Sequence, residues 1–279
     1  MAVNDISAGT TIRFGEAGHG VGYTLDEAVA VIELSRPSAA NALDAQMKEG
    51  LLSAVEQVRT DAEQVRAVLI TAQGGTFCVG QDLREHARAL EENPLEAFDT
   101  LHKHYNPLIQ ALHALPQPVV AAVEGACAGA GLGLALCADL RVVAATARFS
   151  TAYTGIGLAP DAGVTRALVR LVGVSRAAEL LLLGSRFSAE EAARWGLAHQ
   201  VVPEGQATAE GLVLARRLAA GPTAAYREIK NLMSVADAAG LEELLEQEAA
   251  AQYRLGTTGD HRDAVTAFLA RQAPRFQGR

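Results

Sequence analysis

The segment Gly125-Ala-Cys-Ala-Gly-Ala-Gly-Leu-Gly-Leu-Ala135 carries Gly or Ala at eight of its eleven positions and follows the apolar run Val119 to Val123 across the single residue Glu124. A strand that passes through glycines into a helix lets backbone and ligand approach closely and aims free N–H groups at a developing negative charge. Such chemistry needs an acid or base nearby. Asp161, in Gly157-Leu-Ala-Pro-Asp-Ala-Gly163, is the candidate, at a turn that precedes a helical pattern. Together with Phe77-Cys-Val-Gly-Gln-Asp-Leu83, these segments point to an enzyme that stabilises an oxyanion rather than to a binding module.

The elements around these loops follow from hydrophobic periodicity. Residues 1–22 read as a polar, Gly-containing entry segment, followed by an edge or terminal strand at Ala30 to Leu34. After Arg36-Pro37 and Asn41-Ala-Leu-Asp44, the residues Met47, Leu51, Val55 and Val58 recur at helical spacing. Ala67 to Thr71 reads as a short buried strand turning at Gly74-Gly75, and the polar stretch 84–96 as a mobile excursion beside the cleft. A helical run over 97–115 leads to the strand Val119 to Val123, then a helix over 130–138 and a strand from Leu140 to Ala144. Asp161-Ala-Gly163 precedes a helical pattern that runs through Leu171, and another spans Ser185 to Trp195, before Val201-Val202. Beyond Glu204 only helices are expected, over 206–219, 223–236, 239–256 and 260–271. The alternation predicts an α/β fold with a helical C-terminal layer that supports the core or a partner subunit.

With 279 residues, 49% hydrophobic and 20% charged, the chain is long enough for a substantial core. A net charge of −8 with dispersed Lys and Arg argues against a nucleic-acid partner. Cys78, Cys127 and Cys137 are too few for a four-cysteine metal site and odd in number for a complete disulfide framework, so they read as packing residues in a reduced interior. His102 and His104 stand only two apart, and none of the seven histidines falls in a metal-binding pattern; no metal is expected. Apolar runs are too short for a membrane span, and the expected location is cytoplasmic.

Arg36-Pro-Ser-Ala-Ala-Asn-Ala-Leu43, Phe77-Cys-Val-Gly-Gln-Asp-Leu83, the Gly/Ala segment and Gly157-Leu-Ala-Pro-Asp-Ala-Gly163, in that order, resemble the crotonase family, also called the enoyl-CoA hydratase/isomerase family. The resemblance runs from about residue 24 to 271 and is closest to the phenylacetate-pathway isomerase-like branch. It implies a crotonase-like spiral of ββα units, with residues 24–205 as core, 206–279 as a helical oligomerisation region and 1–23 as an extension. It also implies an acyl-CoA thioester ligand, homotrimers or dimers of trimers, and no cofactor beyond the coenzyme A of the substrate. By motif match the oxyanion donors are the backbone N–H groups of Gln81 and Ala130. Phe77, Leu132, Gly133, Tyr153 and Leu158 match the acyl pocket, and Arg84 and Lys230 the coenzyme A contacts. Read alone, each of these loops serves equally as a tight turn, and each of these cations as an ordinary solvated charge.

Family hydratases use two glutamates. Here Gly133 and Tyr153 occupy those positions, and neither supplies a carboxylate. Asp161 matches the acidic position of the family's isomerases, where one carboxylate takes a proton beside the thioester and returns it to the gamma carbon; a related position carries the attacking carboxylate of a dehalogenase. Tyr153 orients water or substrate, or is an aromatic wall with a satisfied hydroxyl. The plain alternative for Asp161 is an N-cap on the next helix; Asp82 reads as a loop organiser. The leading expectation is therefore an enoyl-CoA isomerase working through Asp161. The competitors are an enoyl-CoA hydratase and a silent acyl-CoA-binding protein.

Overall fold

The computed structural model describes residues 11–16 and 19–279. Its strands are β1 (Thr11–Glu16), β2 (His19–Asp26), β3 (Val29–Ser35), β4 (Ala67–Ala72), β5 (Val119–Val123), β6 (Ala126–Ala128), β7 (Leu140–Ala144), β8 (Arg148–Ser150), β9 (Phe187–Ser188) and β10 (Gln200–Val202). The helices are α1 (Ala45–Thr60), α2 (Leu83–Glu92), α3 (Asn106–His113), α4 (Ala130–Cys137), α5 (Val164–Leu183), α6 (Ala189–Arg194), α7 (Ala207–Ala219), α8 (Thr223–Val235), α9 (Leu241–Gly256) and α10 (Gly259–Leu269).

One sheet runs β1-β2-β3-β4-β5-β7-β10, antiparallel over its first three strands and parallel from β3 onward. Val68, Ile70, Val119, Ala121 and Val123 point into the larger core, and Ala67, Leu69, Val120 and Ala122 into a second core under α7. This period-2 division of continuous apolar runs is what a parallel sheet buried on both faces requires.

A second, smaller sheet holds β6, β8 and β9. Parallel bridges from Cys78 to Cys127 and from Leu43 to Gln81 prolong its ladder. Each turn of the chain thus gives a strand to the large sheet, a short extended piece to the small one, and then a helix. That is the spiral of ββα units implied by the resemblance, and α7 to α10 form the expected helical C-terminal region.

Several expectations need correction. The strand over 30–34 lies third in the sheet rather than at its edge, because β1 and β2 from the entry segment pair outside it; residues 1–10 of that segment lie outside the described residues. The polar stretch 84–96 is largely helix: α2 spans Leu83–Glu92, a surface helix that buries no residue. The helix expected after Gly163 to end at Leu171 continues to Leu183, broken at Gly173, which leaves helical geometry at φ 74 and ψ 163. Over 185–195 a two-residue strand precedes the helix.

Candidate active site

The Gly80–Asp82 loop is fixed by its bridge to Leu43. Leu43 N–H donates to the Gly80 carbonyl at 2.8 Å, and Asp82 N–H donates to the Leu43 carbonyl at 3.1 Å. Both bonds use the peptide groups that flank Gln81, so the Gln81 N–H points away from this partner. The neighbouring ladder ends similarly: Ala128 N–H donates to Cys78 O at 2.9 Å and Gly129 N–H to Ser150 O at 3.1 Å, after which α4 begins. Gly129 makes that passage at φ 54 and ψ −128, a conformation open in practice to glycine alone. Among the described residues, no carbonyl or side chain accepts from the N–H of Gln81 or Ala130.

The two loops touch. A Cβ on Gly80 would lie 3.1 Å from the Ala130 nitrogen, and Gly131 packs so tightly on the Cys78 carbonyl that no side chain fits there. Two unpaired N–H groups, one at the positive end of a helix, are thereby brought side by side, an arrangement able to hold an oxyanion.

Asp82 organises this loop, as expected. Its Oδ1 accepts from the N–H groups of Arg84 and Glu85 at 2.9 and 3.0 Å, capping α2, while Arg36 donates to its Oδ2 at 2.7 Å. Burial alone would raise the Asp82 carboxyl; the Glu85 N–H, the Arg36 guanidinium and the Arg84 N–H outweigh it and hold the group below its ordinary range. It is therefore a charged structural anchor, not a proton carrier.

Asp161 is placed differently. The first residues of α5 take no side-chain cap, and the Asp161 carboxylate instead accepts the Tyr153 O–H at 2.7 Å. The N-cap alternative therefore does not apply to its side chain. Burial pushes the Asp161 carboxyl above the usual carboxylate range, while the Tyr153 hydroxyl and its own backbone N–H pull in the opposite direction. Burial, then the Asp161 charge, drives the Tyr153 phenol far above its ordinary value, so it remains a donor.

α4 connects this pair to the paired N–H groups. Gly133 lies one turn beyond Ala130, about 4.5 Å along the helix axis. It packs against the turn that carries Asp161: a Cβ at 133 would sit 2.6 Å from the Ala162 carbonyl oxygen and 2.8 Å from the Ala162 Cβ. Phe77, Leu132 and Tyr153 are buried in the same apolar cluster, with Leu158 packed at its edge.

The two coenzyme A candidates separate. Arg84 is exposed on the first turn of α2, and among the described residues its guanidinium joins no ion pair. Lys230 is engaged, donating to Asp139 Oδ2 at 2.7 Å and to the Gln117 carbonyl at 2.8 Å, which ties α8 to the ends of β5 and β7. In this geometry it is an internal staple rather than a free cation. Cys78, Cys127 and Cys137 are unbonded and buried, and burial pushes the Cys78 thiol up to about 12, in keeping with packing roles. Among the described residues no cluster of His, Cys, Asp and Glu could hold a metal, and no helix is long and apolar enough to cross a membrane.

Sequence reading misses two features here. Lys48 is 2% exposed inside the apolar stripe of α1, and its ammonium donates to Glu85 Oε1 at 3.1 Å and Thr100 Oγ1 at 2.8 Å, fastening α2 to α1. Tyr105, buried beside the site, shows only the helical spacing of a core residue.

The profile of the enoyl-CoA hydratase/isomerase family matches residues 24–279. The chain belongs to the enoyl-CoA hydratase/isomerase family. This family member is 41% identical over 94% of its length to a Rhodobacter capsulatus protein named "Probable enoyl-CoA hydratase", covering 99% of that protein. It is 36% identical over 91% of its length to the 1,2-epoxyphenylacetyl-CoA isomerase of Escherichia coli, covering 97% of it. A crystal structure of an enoyl-CoA hydratase from Polaromonas sp. JS666 matches with a TM-score of 0.87 at 32% identity, covering 92% of this chain and 99% of that one. The enzyme class is thereby established, and relatives carry both hydratase and isomerase names.

Proposed function

We propose that this enzyme is an enoyl-CoA isomerase. The N–H groups of Gln81 and Ala130 hold the thioester carbonyl oxygen, and ionised Asp161 removes a proton from the carbon next to the carbonyl. Negative charge moves onto the oxygen, where two preorganised donors meet it. The dienolate then collapses as protonated Asp161 returns the proton to the gamma carbon. One proton leaves and one is delivered, so the double bond shifts with no net addition. The Tyr153 O–H takes one lone pair of the carboxylate and fixes its orientation, leaving others for the substrate.

The observation that carries this reading is the packing of Gly133 on Ala162. Where a family hydratase places one glutamate, the backbone of the Asp161 turn occupies the space, and the second position holds the tyrosine that orients Asp161. The site is built for one carboxylate. Hydration to a 3-hydroxyacyl-CoA is the second reading, favoured by the name of the 41% identical relative.

Asp161→Asn tests the role directly. It keeps an acceptor for Tyr153 and removes the base, so kcat should fall by about 10²–10⁴ with the affinity for a saturated acyl-CoA unchanged. Unaltered turnover would remove Asp161 from the mechanism. The reading includes Arg84 as a contact for coenzyme A phosphate, no cofactor besides the coenzyme A of the substrate, and a cytoplasmic setting in keeping with three free thiols. It also includes a homotrimer or dimer of trimers, in keeping with apolar side chains left exposed on α5, α9 and α10, among them Leu182, Leu183, Tyr253 and Phe268.

A further inference from the structure

Tyr105 is 1% exposed, and among the described residues its hydroxyl has no hydrogen-bond partner. A phenol buried without a partner is costly, and a phenylalanine would fill the same core volume without that cost. The fold itself therefore gives no reason for the oxygen.

Its position gives one. Tyr105 closes a single wide helical turn, Leu101–Tyr105, in which Asn106 N–H donates to the Leu101 carbonyl five residues back; α3 follows directly. Wide turns of this kind re-aim side chains and recur at functional sites. Ile109, four residues on and so on the same helical face, has its Cγ2 3.4 Å from where a Cβ on Gly163 would lie, two residues past Asp161. The ring belongs to the apolar cluster that holds Phe77, Leu132, Tyr153 and Ala162, and the Lys48 ammonium stands 5.5 Å from its centroid. Burial raises the phenol well above its ordinary range, and the Asp161 carboxylate adds to that effect electrostatically. Two phenols thus lie within electrostatic reach of Asp161. Tyr153 donates to it, and Tyr105 keeps its donor free.

We infer that the Tyr105 hydroxyl is a specificity element of the acyl site, donating to a neutral oxygen (ketone, ether or hydroxyl) on the acyl chain beyond the thioester carbonyl. A buried donor with no other partner rewards a chain that brings an acceptor over one that leaves the donor unpaired. An anionic group is disfavoured there, because it would be buried next to ionised Asp161. This inference rests on the Asp161 site being the acyl site.

Binding, not turnover, tests it, so that it can fail apart from the isomerase reading. Calorimetry would compare two saturated acyl-CoAs of equal length, one with a plain alkyl chain and one with a ketone or ether oxygen along the chain at a series of positions. The wild-type enzyme should bind the best oxygen-bearing ligand about tenfold more tightly than the alkyl one, and Tyr105→Phe should abolish that preference with little change for the alkyl ligand. Equal affinity of the wild-type enzyme for every member of the set would overturn the inference, whether or not the variant folds. So would a Tyr105→Phe that alters melting temperature but keeps the preference, since the hydroxyl would then serve the fold. If neither ligand binds, the acyl-site assignment falls and takes this inference with it. If the preference appears but no alkene shifts, the inference stands and the isomerase reading falls.

Discussion

At the scale of single residues, Asp161 and Tyr153 set each other's protonation. A carboxyl that burial has pushed up in pKa is a stronger base once ionised, and its tyrosine donor limits how far that rise goes. Activity should therefore increase with pH through a midpoint above the ordinary carboxylate range, as Asp161 ionises. Tyr153→Phe removes the bond that opposes the shift, so the midpoint of the kcat/KM profile should move to still higher pH; a profile that stays in place would separate the two groups. The stability effect has the opposite sign from that of a paired surface carboxylate. The folded state binds this proton more tightly than the unfolded chain does, so wild-type stability falls as pH rises from the unfolded to the folded pKa of Asp161. Asp161→Asn should therefore melt at higher temperature than wild type above that window, and the gain should vanish below it. The type and motif position of Asp161 are readable from sequence, but its environment is not, because Tyr153 and Ala162 meet it only through the fold.

At the scale of elements, the strands over 67–72, 119–123 and 140–144 are legible because both faces are buried and the runs are apolar throughout. β6, β8 and β9 are not, at two or three residues each, and neither is α2, which buries no side chain. What holds α2 is its cap on Asp82 and the Lys48–Glu85 pair. Asp82→Ala should cost about 0.5–2 kcal/mol and accelerate amide exchange at the start of α2, next to Gln81. Gly129→Ala should cost about 1–3 kcal/mol in denaturant melts and lower kcat, since an alanine at that φ and ψ is strained and the Ala130 N–H turns with it. Gly133→Glu, which places a carboxylate where a family hydratase has one, should yield no hydratase activity and a less stable protein, because the side chain meets Ala162.

At the scale of the whole molecule, the ordered motifs from residue 36 to 163 suffice for the family and the spiral, since each marks a place where one turn's loop must approach the next. Lys230 holds its motif position, and the fold adds what the motif does not show, that Asp139 and Gln117 take its ammonium. Pattern alone also misses Tyr105, because an unpaired hydroxyl leaves no trace in helical spacing. The proposed homo-oligomer would cover apolar side chains left exposed on α5, α9 and α10. Sedimentation should give a trimer or hexamer of the chain, and charging that surface with Leu182→Glu and Leu183→Glu should shift it toward monomer; a wild-type monomer would contradict the assembly.

The most direct measurement is mass-resolved product analysis of the purified enzyme with matched 2-enoyl-CoA and 3-enoyl-CoA substrates, aliphatic and aryl, in heavy-oxygen water. A site with Asp161 as its one working carboxylate predicts interconversion of the alkene isomers with no heavy oxygen retained, and loss of that interconversion in Asp161→Asn. Heavy oxygen in a 3-hydroxyacyl-CoA product would contradict the account and make the enzyme a hydratase.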